Sequence, residues 1–365
     1  MQSLFDFSQI PVIDNHCHLF NLTYQERDLA KILSLSLQDM PQEQLENSLI
    51  YRKMIAELKD FLGVSGCQQR VLDKRKEAML SDYSGYVERL FKDGAINTLL
   101  IDLGYKPAHV SLDQFEDLVP GQVKYIYRIE SVLDDIWKNK YDFNSGEEKF
   151  YQALDEAING LNIVAMKSII GYRTGLAIKD RTRAEIKENW LEDEKQFREY
   201  FLLRAIEKCA ENKLPIQIHA SFGESNLNLL HNNPLLLKEL FEDQRYNRVN
   251  VILVHGGYPY SFEAGYLAAM YPNVYLDISE MVPFVPLGLR KGLRDMLDMA
   301  PLTKIMFGSD GFVAPEIHWL AAKVAKYELA LLFTELVNDK LFDLEYGYQT
   351  AENIFFKNAK RVYSL

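Results

Sequence analysis

The sequence predicts an α/β fold, a TIM (β/α)8 barrel with a helical insertion after strand 1. Short apolar runs rich in β-branched residues alternate with longer helix-like stretches, as expected of parallel strands buried on both faces. Eight such runs can be counted, which is the strand number of this barrel. Side chains able to bind metal ions follow several of the runs, and functional side chains gather at the C-terminal ends of barrel strands.

The spacing of the predicted strands places the insertion. The strands cover residues 10–15, 97–102, 123–129, 163–168, 214–218, 249–254, 273–278 and 304–308. Helix-like segments at 183–212 and 235–243 separate later strands. Roughly eighty residues lie between the first two strands, far more than a βα unit of ~30 residues requires. Residues 22–90 are rich in Leu, Glu, Gln, Lys and Arg, which predicts a helical insertion beside the barrel mouth. An independent N-terminal helical domain is the alternative, but the first strand precedes the segment. The whole chain, 1–365, is thus expected to be one barrel.

Composition agrees with this architecture and excludes several classes of protein. A chain of 365 residues, 48% hydrophobic and 12% aromatic, can bury a sizeable core. The net charge of −11 argues against a general nucleic-acid binder. We expect no membrane segment, because no uncharged apolar run reaches the ~18 residues that span a bilayer. The start of the chain lacks the basic and apolar regions of a signal peptide. Scattered Cys17, Cys67 and Cys209 indicate reduced thiols and a cytoplasmic protein.

A set of potential metal ligands carries the functional argument. His16 and His18 follow the first predicted strand two residues apart, so an extended chain points both imidazoles to one side. Such a pair is often accidental, but more ligand-type residues end later strands: Lys167, His219, His255 and Asp310. Together these nitrogen and oxygen donors suit Zn²⁺ or another first-row divalent ion.

Lys167 is unusual among these potential metal ligands, because an ammonium group repels a cation. It fits if the amine has reacted with CO₂ to form a carbamate, which is anionic and can bridge two metals. A substrate-binding cation and a structural ion pair are the alternatives, and the charge state of lysine shifts readily on burial.

The order His-x-His, Lys, His, His, Asp resembles that of the amidohydrolase superfamily of metal-dependent TIM-barrel hydrolases. The resemblance runs from Val12 to about Lys360 and is closest to the amidohydrolase-2 branch, including the amidohydrolase-like domain joined to glutamine-synthetase-like enzymes. The supporting strings are MKSIIGYRTGL, QIHASFGESNLNLL, HGGYPYSFEAGYLAAMYPNVYLDIS and MFGSDG. One departure follows His219, where relatives often carry Thr-Gly and then Asp and this chain has Ala220-Ser221 and Glu224. That departure bears on the substrate rather than on the metal.

The resemblance implies roles for these residues. His16 and His18 would bind the more buried metal, and Asp310 would bind it and act as general base on the attacking water. His219 and His255 would bind a second metal. In one-metal members His219 remains a ligand, and His255 orients the water or polarises the substrate. The implied cofactor is one or two Zn²⁺ ions, or another divalent metal, with a carboxylated lysine in two-metal members.

Residues near the predicted barrel mouth are expected to contact the substrate. Tyr172 and Arg173 follow the fourth strand, and Arg128 and Glu130 end the third. An arginine there could clamp a substrate carboxylate through two hydrogen bonds, or could brace the barrel in an Arg–Glu salt bridge. Glu224 is expected to bind a substrate amine or to cap a helix. Three further histidines in polar or helical contexts are expected to be ordinary surface or packing residues: His109, His231 and His318.

We therefore predict a zinc-dependent hydrolase that acts on an amide or related C–N bond of a small-molecule substrate. One alternative is a non-oxidative metal-dependent decarboxylase, which should have one metal, an unmodified Lys167 and a flat aromatic-acid pocket with an arginine. A second is a barrel that has lost catalysis and serves as a binding module, although the intact ligand set counts against it. The sequence leaves the substrate and the formation of homo-oligomers open.

Overall fold

The computed structural model describes residues 2–107 and 110–365, and within them eight parallel strands form one sheet. In chain order, β1 to β8 are Val12–Cys17, Ile96–Asp102, Gln122–Arg128, Ala165–Ser168, Ile216–His219, Val251–Val254, Val274–Asp277 and Ile305–Met306. Each strand pairs with the next one along the chain. Backbone hydrogen bonds bring the last strand back to the first: Asn15 N donates to Phe307 O (3.0 Å) and Asp310 N to His16 O (2.9 Å). The predicted TIM barrel is confirmed.

The strand register sets the C-terminal strand ends side by side. Lys167 on β4 pairs with Arg128 on β3 and with Gln217 on β5. His219, the last residue of β5, pairs with Val254 at the end of β6. Ligand-type residues that are far apart in sequence are therefore brought to one rim of the barrel.

Helices cover the outside of the barrel and fill the long connection after β1. Between β1 and β2 lie α1 to α5: Leu29–Ile32, Gln42–Glu46, Leu49–Phe61, Gln68–Ser81 and Tyr83–Gly94. The later helices, α6 to α18, are Leu112–Leu118, Glu130–Asn139, Phe143–Gly160, Ile170–Arg173, Arg183–Glu188, Glu194–Asn212, Lys238–Glu242, Ser261–Met270, Met281–Phe284, Gly288–Leu297, Pro315–Asn338, Leu344–Glu352 and Asn358–Val362. Among the described residues, no helix has the length and apolarity to cross a membrane.

The connection between β1 and β2 packs on the barrel through a buried ion pair. Arg75 on α4 donates from Nε to Glu316 Oε1 on α16 (2.6 Å), and the hydroxyl of Tyr86 on α5 donates to the same oxygen (3.0 Å). This packing supports the proposal that residues 1–365 form one domain in which 22–90 are an insertion.

One predicted helix is divided. Residues 183–212 form two helices, α10 and α11, because Asp193 accepts from Lys195 N (2.9 Å) and Gln196 N (3.2 Å) and so caps a new N-terminus. Thr182 and Glu185 cap the first of the two with a reciprocal pair of side-chain bonds.

A polar layer separates the apolar barrel interior from the strand ends. The interior cluster includes Ile13, Leu100, Ile126, Ala165, Ile252, Val254 and Met306, together with Tyr363 near the C-terminus of the chain. Above it, Gln217 Nε2 donates to Asn15 O (2.8 Å) and to Tyr363 Oη (2.7 Å), and Tyr363 Oη donates to Asn15 Oδ1 (2.9 Å). These bonds satisfy buried polar groups and tie the C-terminal Tyr363 to β1 and β5.

Candidate metal centre

A pocket of about 300 Å³ opens at the C-terminal ends of the strands. Apart from Glu130, the residues of the predicted ligand and substrate-contact sets line it: His16, His18, Arg128, Lys167, Tyr172, Arg173, His219, Glu224, His255 and Asp310. Leu37, Ile169, Asn226 and Glu280 complete the lining. A concave site with converging polar groups at this end of a barrel is where catalysis is expected.

Three predicted ligands form a first cluster. His16 Nε2 and His18 Nε2 each lie 3.2 Å from Asp310 Oδ1. His18 Nδ1 lies 3.2 Å from Asp102 O, which accepts its proton and leaves Nε2 to face Asp310. His16 lies within β1 rather than after it. Cys17 points the other way, towards Leu100 O, so the two imidazoles share one side as predicted.

Backbone bonds hold Asp310 in place. Its φ of +53° is in the left-handed region, which non-glycine residues seldom occupy. Asp310 N donates to His16 O (2.9 Å), so the turn is tied to β1. Ser309 N donates to Asp14 Oδ1 and Gly311 N donates to Ser309 Oγ, both at 2.8 Å. The carboxylate is thus presented by a turn fixed on both sides.

Lys167 belongs to the same cluster. Its Nζ lies 3.3 Å from His16 Nε2, and its side chain is among the largest that are fully buried. Burial lowers the pKa of the amine to about 8. A buried amine with a lowered pKa is more often neutral, and the neutral amine is the form that reacts with CO₂. Carboxylation of Lys167 stays a prediction.

A second cluster lies on the opposite strands. His219, His255 and Glu280 each offer a donor atom, and these three atoms lie within 4.8 Å of one another. His255 Nδ1 lies 2.9 Å from Ser279 Oγ, whose hydroxyl donates to Asp277 Oδ1 (2.6 Å). The serine oxygen must therefore accept from Nδ1, which leaves Nε2 of His255 unprotonated.

The protonation states suit a metal site. Burial lowers the pKa values of His16, His219 and His255, so these imidazoles are neutral. Burial alone would raise the pKa of Asp310, but hydrogen bonds with His16 and His18 hold it well below its usual range. Neutral imidazoles and an ionised carboxylate are the forms that bind metals.

The residues present fit a divalent ion. Imidazole nitrogens and a carboxylate are the donors that zinc and similar ions take in proteins. The buried Nε2 of His219 has no hydrogen-bond partner in the described part of the chain, which is costly unless a ligand satisfies it.

The arginines of the pocket are already paired. Arg128 forks onto Asp102, with Nη2 2.6 Å from Oδ2 and Nε 3.1 and 3.0 Å from the two oxygens. The expected Arg–Glu bridge is wrong in its partner, because Glu130 instead accepts from Ser168 Oγ (2.7 Å) at the start of α7. Arg173 Nη2 lies 2.8 Å from Asp134 Oδ2.

Tyr172 and Glu224 form one unit beside His219. The Tyr172 ring packs on the His219 ring with centroids 4.5 Å apart. Its hydroxyl donates to the Glu224 carboxylate and accepts from Glu224 N (3.1 Å). A Cβ on Gly223 would lie 1.9 Å from Tyr172 Oη, so the contact requires glycine there. Glu224 is thus fixed by Tyr172, and the alternative of a helix cap is wrong.

Several residues of the site were missed by sequence reasoning. Asp102 ends β2, Asp277 ends β7 and Glu280 follows closely, so the strand-end rule that found the ligands could have found them. His318, predicted to be a surface or packing residue, is fully buried on α16 with Nδ1 3.3 Å from Asp14 Oδ2, so it packs behind the site.

The other two histidines without a predicted direct role are His231 and His109. His231 is exposed in a short 3₁₀ turn, Leu229–Asn232. His109 lies outside the described residues.

Comparison with known proteins identifies the family. The family model described as amidohydrolase matches residues 147–365. Protein fluG of Emericella nidulans is 29% identical over 97% of this chain and 46% of its own length, so the chain spans about half of that relative. A solved structure from Lactobacillus casei ATCC 334, assigned to the metal-dependent hydrolases, is 29% identical with a TM-score of 0.87, covering 100% of this chain and 98% of that one. Glucuronate isomerase of Caulobacter crescentus shares the fold at 15% identity, with a TM-score of 0.69 over 98% of this chain and 92% of the isomerase. The chain therefore belongs to the amidohydrolase family, in the amidohydrolase-2 branch that its motifs resemble.

Proposed function

We propose that this chain is a metal-dependent hydrolase that cleaves an amide or related C–N bond of a small molecule. The observation that carries the proposal is the convergence of His16 and His18 on Asp310, each at 3.2 Å, at the strand ends of an amidohydrolase-family barrel. His219 and His255 face them across the same pocket.

The proposed metal ligands are His16, His18, His219 and Asp310, with zinc as the preferred ion. A bound divalent ion would bring the pKa of a water towards ~7 and polarise a carbonyl group. The proposed ligands are already oriented for metal binding. Asp102 O fixes the orientation of the His18 ring, and a backbone hydrogen bond ties the turn that carries Asp310 to β1.

The proton transfers fall to Asp310. Its carboxylate takes a proton from the attacking water and delivers it to the leaving nitrogen as the C–N bond breaks, so the amine departs neutral. His255 has its Nδ1 proton committed to Ser279, so its free Nε2 can accept a hydrogen bond or bind metal but cannot donate to a carbonyl. We therefore favour the ligand or water-orienting role of His255 over the polarising role.

Substrate contacts are proposed for four residues of the pocket wall: Tyr172, Glu224, Arg128 and Arg173. A non-oxidative decarboxylase remains the alternative activity, and it would need an arginine for the substrate carboxylate. Both arginines are engaged by Asp102 and Asp134, so such a substrate would have to displace one of them. The unbridged cysteines Cys17, Cys67 and Cys209 support the proposal of a cytoplasmic protein.

The test is a substrate screen that separates the two activities. The zinc-loaded protein is incubated with paired amides and carboxylic acids of the same skeleton, and released amine and CO₂ are measured, with Asp310→Asn as the control. Amine release that depends on Asp310 supports the hydrolase. CO₂ release from the acids would show a decarboxylase instead, and the same trace activity in both proteins would contradict a catalytic site here.

A further inference from the structure

Glu280 carries a buried carboxylate that the chain leaves without a partner. Its side chain is 3% exposed, and Oε2 has no hydrogen bond within residues 2–107 and 110–365. His219 Nε2, in the same cluster, is also buried and without a hydrogen-bond partner there. Buried polar atoms are normally satisfied, so two orphaned atoms in one cluster point to a missing ligand.

The backbone at Glu280 is strained. Its φ and ψ are +56° and −48°, a region that L residues rarely adopt. Bridges from Ser279 to Val282 and from Glu280 to Pro283 hold the segment in this form. Strain of this kind is kept where the surrounding structure needs a side chain in one position, and here that position is the pocket.

Nearby cations do not account for the carboxylate. Arg128 is paired with Asp102, Arg173 with Asp134, and no lysine or arginine in the described part of the chain forms an ion pair with Glu280. His255 Nδ1 lies 3.8 Å from Oε2, but its proton goes to Ser279 Oγ at 2.9 Å. A positive charge from outside the chain would satisfy the group.

The family resemblance already implies a second ion on His219 and His255, and we propose that Glu280 is the negatively charged ligand of that ion in this chain. Two imidazoles and a carboxylate are a frequent zinc ligand set, and the three donor atoms already lie within 4.8 Å of one another. This role deepens the proposed function and rests on it for the first ion, held by His16, His18 and Asp310. His219 is a ligand of that ion in a one-metal form and of the second ion when two are bound. Glu280 supplies an anion to the second ion whether or not Lys167 is carboxylated.

The test counts metal ions in matched variants. Protein stripped with a chelator is titrated with Zn²⁺, and bound zinc per chain is measured by mass spectrometry of the metal after gel filtration. Wild type should bind about two ions, as in two-metal hydrolases, and Glu280→Gln about one. Glu224→Gln is the matched control, because Glu224 lines the same pocket but is bonded to Tyr172, and it should bind as many ions as wild type.

Melting of the metal-free proteins separates a ligand from a structural group. Metal-free Glu280→Gln should melt no lower than metal-free wild type, because burial raises the pKa of Glu280 and so disfavours its charge, and glutamine matches the uncharged side chain in shape. A variant that melts far lower, or that still binds about two ions, would overturn the second site. A wild type that binds only one ion would also overturn the second site, but it would not contradict the proposed function. A wild type that binds none would contradict both.

Discussion

Two buried lysines have the same lowered pKa and different neighbours. Burial brings the pKa of both Lys167 and Lys326 to about 8. Lys326, on α16, donates to Ser8 O (2.9 Å) and Gly94 O (3.0 Å), so carbonyl groups hold its amine. Lys167 has His16 Nε2 at 3.3 Å and lies among the metal donors. Burial disfavours the charge of both amines, but their neighbours differ: backbone carbonyls hold Lys326, whereas Lys167 lies among potential metal ligands.

The largest expected effect is the loss of catalytic activity on substitution in the pocket, compared with substitution of Lys326. Asp310→Asn should lower kcat/KM by ~10²–10⁴-fold or more, because asparagine cannot accept the proton and general-base help is lost. Lys326→Met should stay within a few-fold of wild type, since it lies outside the pocket lining. The measurement uses the best substrate of the amide screen.

A second control for this comparison is His231→Asn. We would expect His318→Asn to be neutral from the sequence alone, but His318 lies 3.3 Å from Asp14, whose carboxylate holds Ser309 beside Asp310. His231 is exposed in the turn Leu229–Asn232 and is not among the residues that line the pocket. Equal losses in Asp310→Asn and His231→Asn would refute the assignment of the catalytic carboxylate.

The next effect is the presence or absence of a carbamate on Lys167. Lys167 should carry a carbamate, formed when its neutral amine attacks the carbon of CO₂ and releases a proton. Protein loaded with zinc in ¹³C-bicarbonate should show one carbamate carbon resonance, which Lys167→Met abolishes and Lys326→Met retains. A resonance that disappears in Lys326→Met, or that survives in Lys167→Met, would contradict the assignment of the carbamate to Lys167.

The ion pairs of the pocket wall should differ in their contribution to stability. Arg128→Met strands the fully buried Asp102 carboxylate and should lower the free energy of unfolding by about 3–5 kcal/mol. Arg173→Met breaks a pair whose side chains are 28% and 42% exposed, and should cost about 0–1 kcal/mol. Urea unfolding of both variants checks the difference, and similar losses would show that burial does not govern these pairs.

A further effect, smaller than the loss expected at Arg128, is the pH dependence of stability that Lys326 contributes. Its pKa of about 8 in the folded protein lies below the ordinary 10.5, because burial disfavours the charge more than nearby Asp93 favours it. Between these pH values the unfolded chain binds more protons, so this group makes stability rise with pH, and below pH 8 it adds no slope. The gain should be on the order of 1–2 kcal/mol.

Lys326→Met should lack that rise. Urea unfolding of both proteins at pH 7, 9 and 10 gives the difference in unfolding free energy, as an order-of-magnitude test of proton linkage. The difference should move in favour of wild type as the pH increases. A constant difference would mean that the amine of Lys326 titrates normally in the folded protein.

Sequence reasoning reached the strands and the ligands for one physical reason. Parallel strands are buried on both faces, so their apolar runs are conspicuous, and polar residues such as His219 stand out where each run stops. Strand ends shifted by one or two residues, as at His16, because hydrogen bonding continues past the apolar run.

The hydrogen-bond and ion-pair partners of the polar side chains could not be predicted from the sequence in the same way. Arg128 pairs with Asp102 on the neighbouring strand rather than with Glu130, two residues away in sequence. Asp102 pairs with Ile126, two residues before Arg128 on β3, so the two side chains are diagonal neighbours on the sheet. His318 lies on a helix, and only the packing of α16 on the strand ends shows that its ring reaches Asp14. Such contacts depend on tertiary structure rather than on local pattern.

The central claim is a divalent metal ion held by His16, His18, His219 and Asp310, and elemental analysis tests it most directly. Protein purified without added metal should carry about one or two equivalents of divalent metal, chiefly zinc, and Asp310→Asn should carry less. A folded protein that turns over substrate while free of metal would contradict the account.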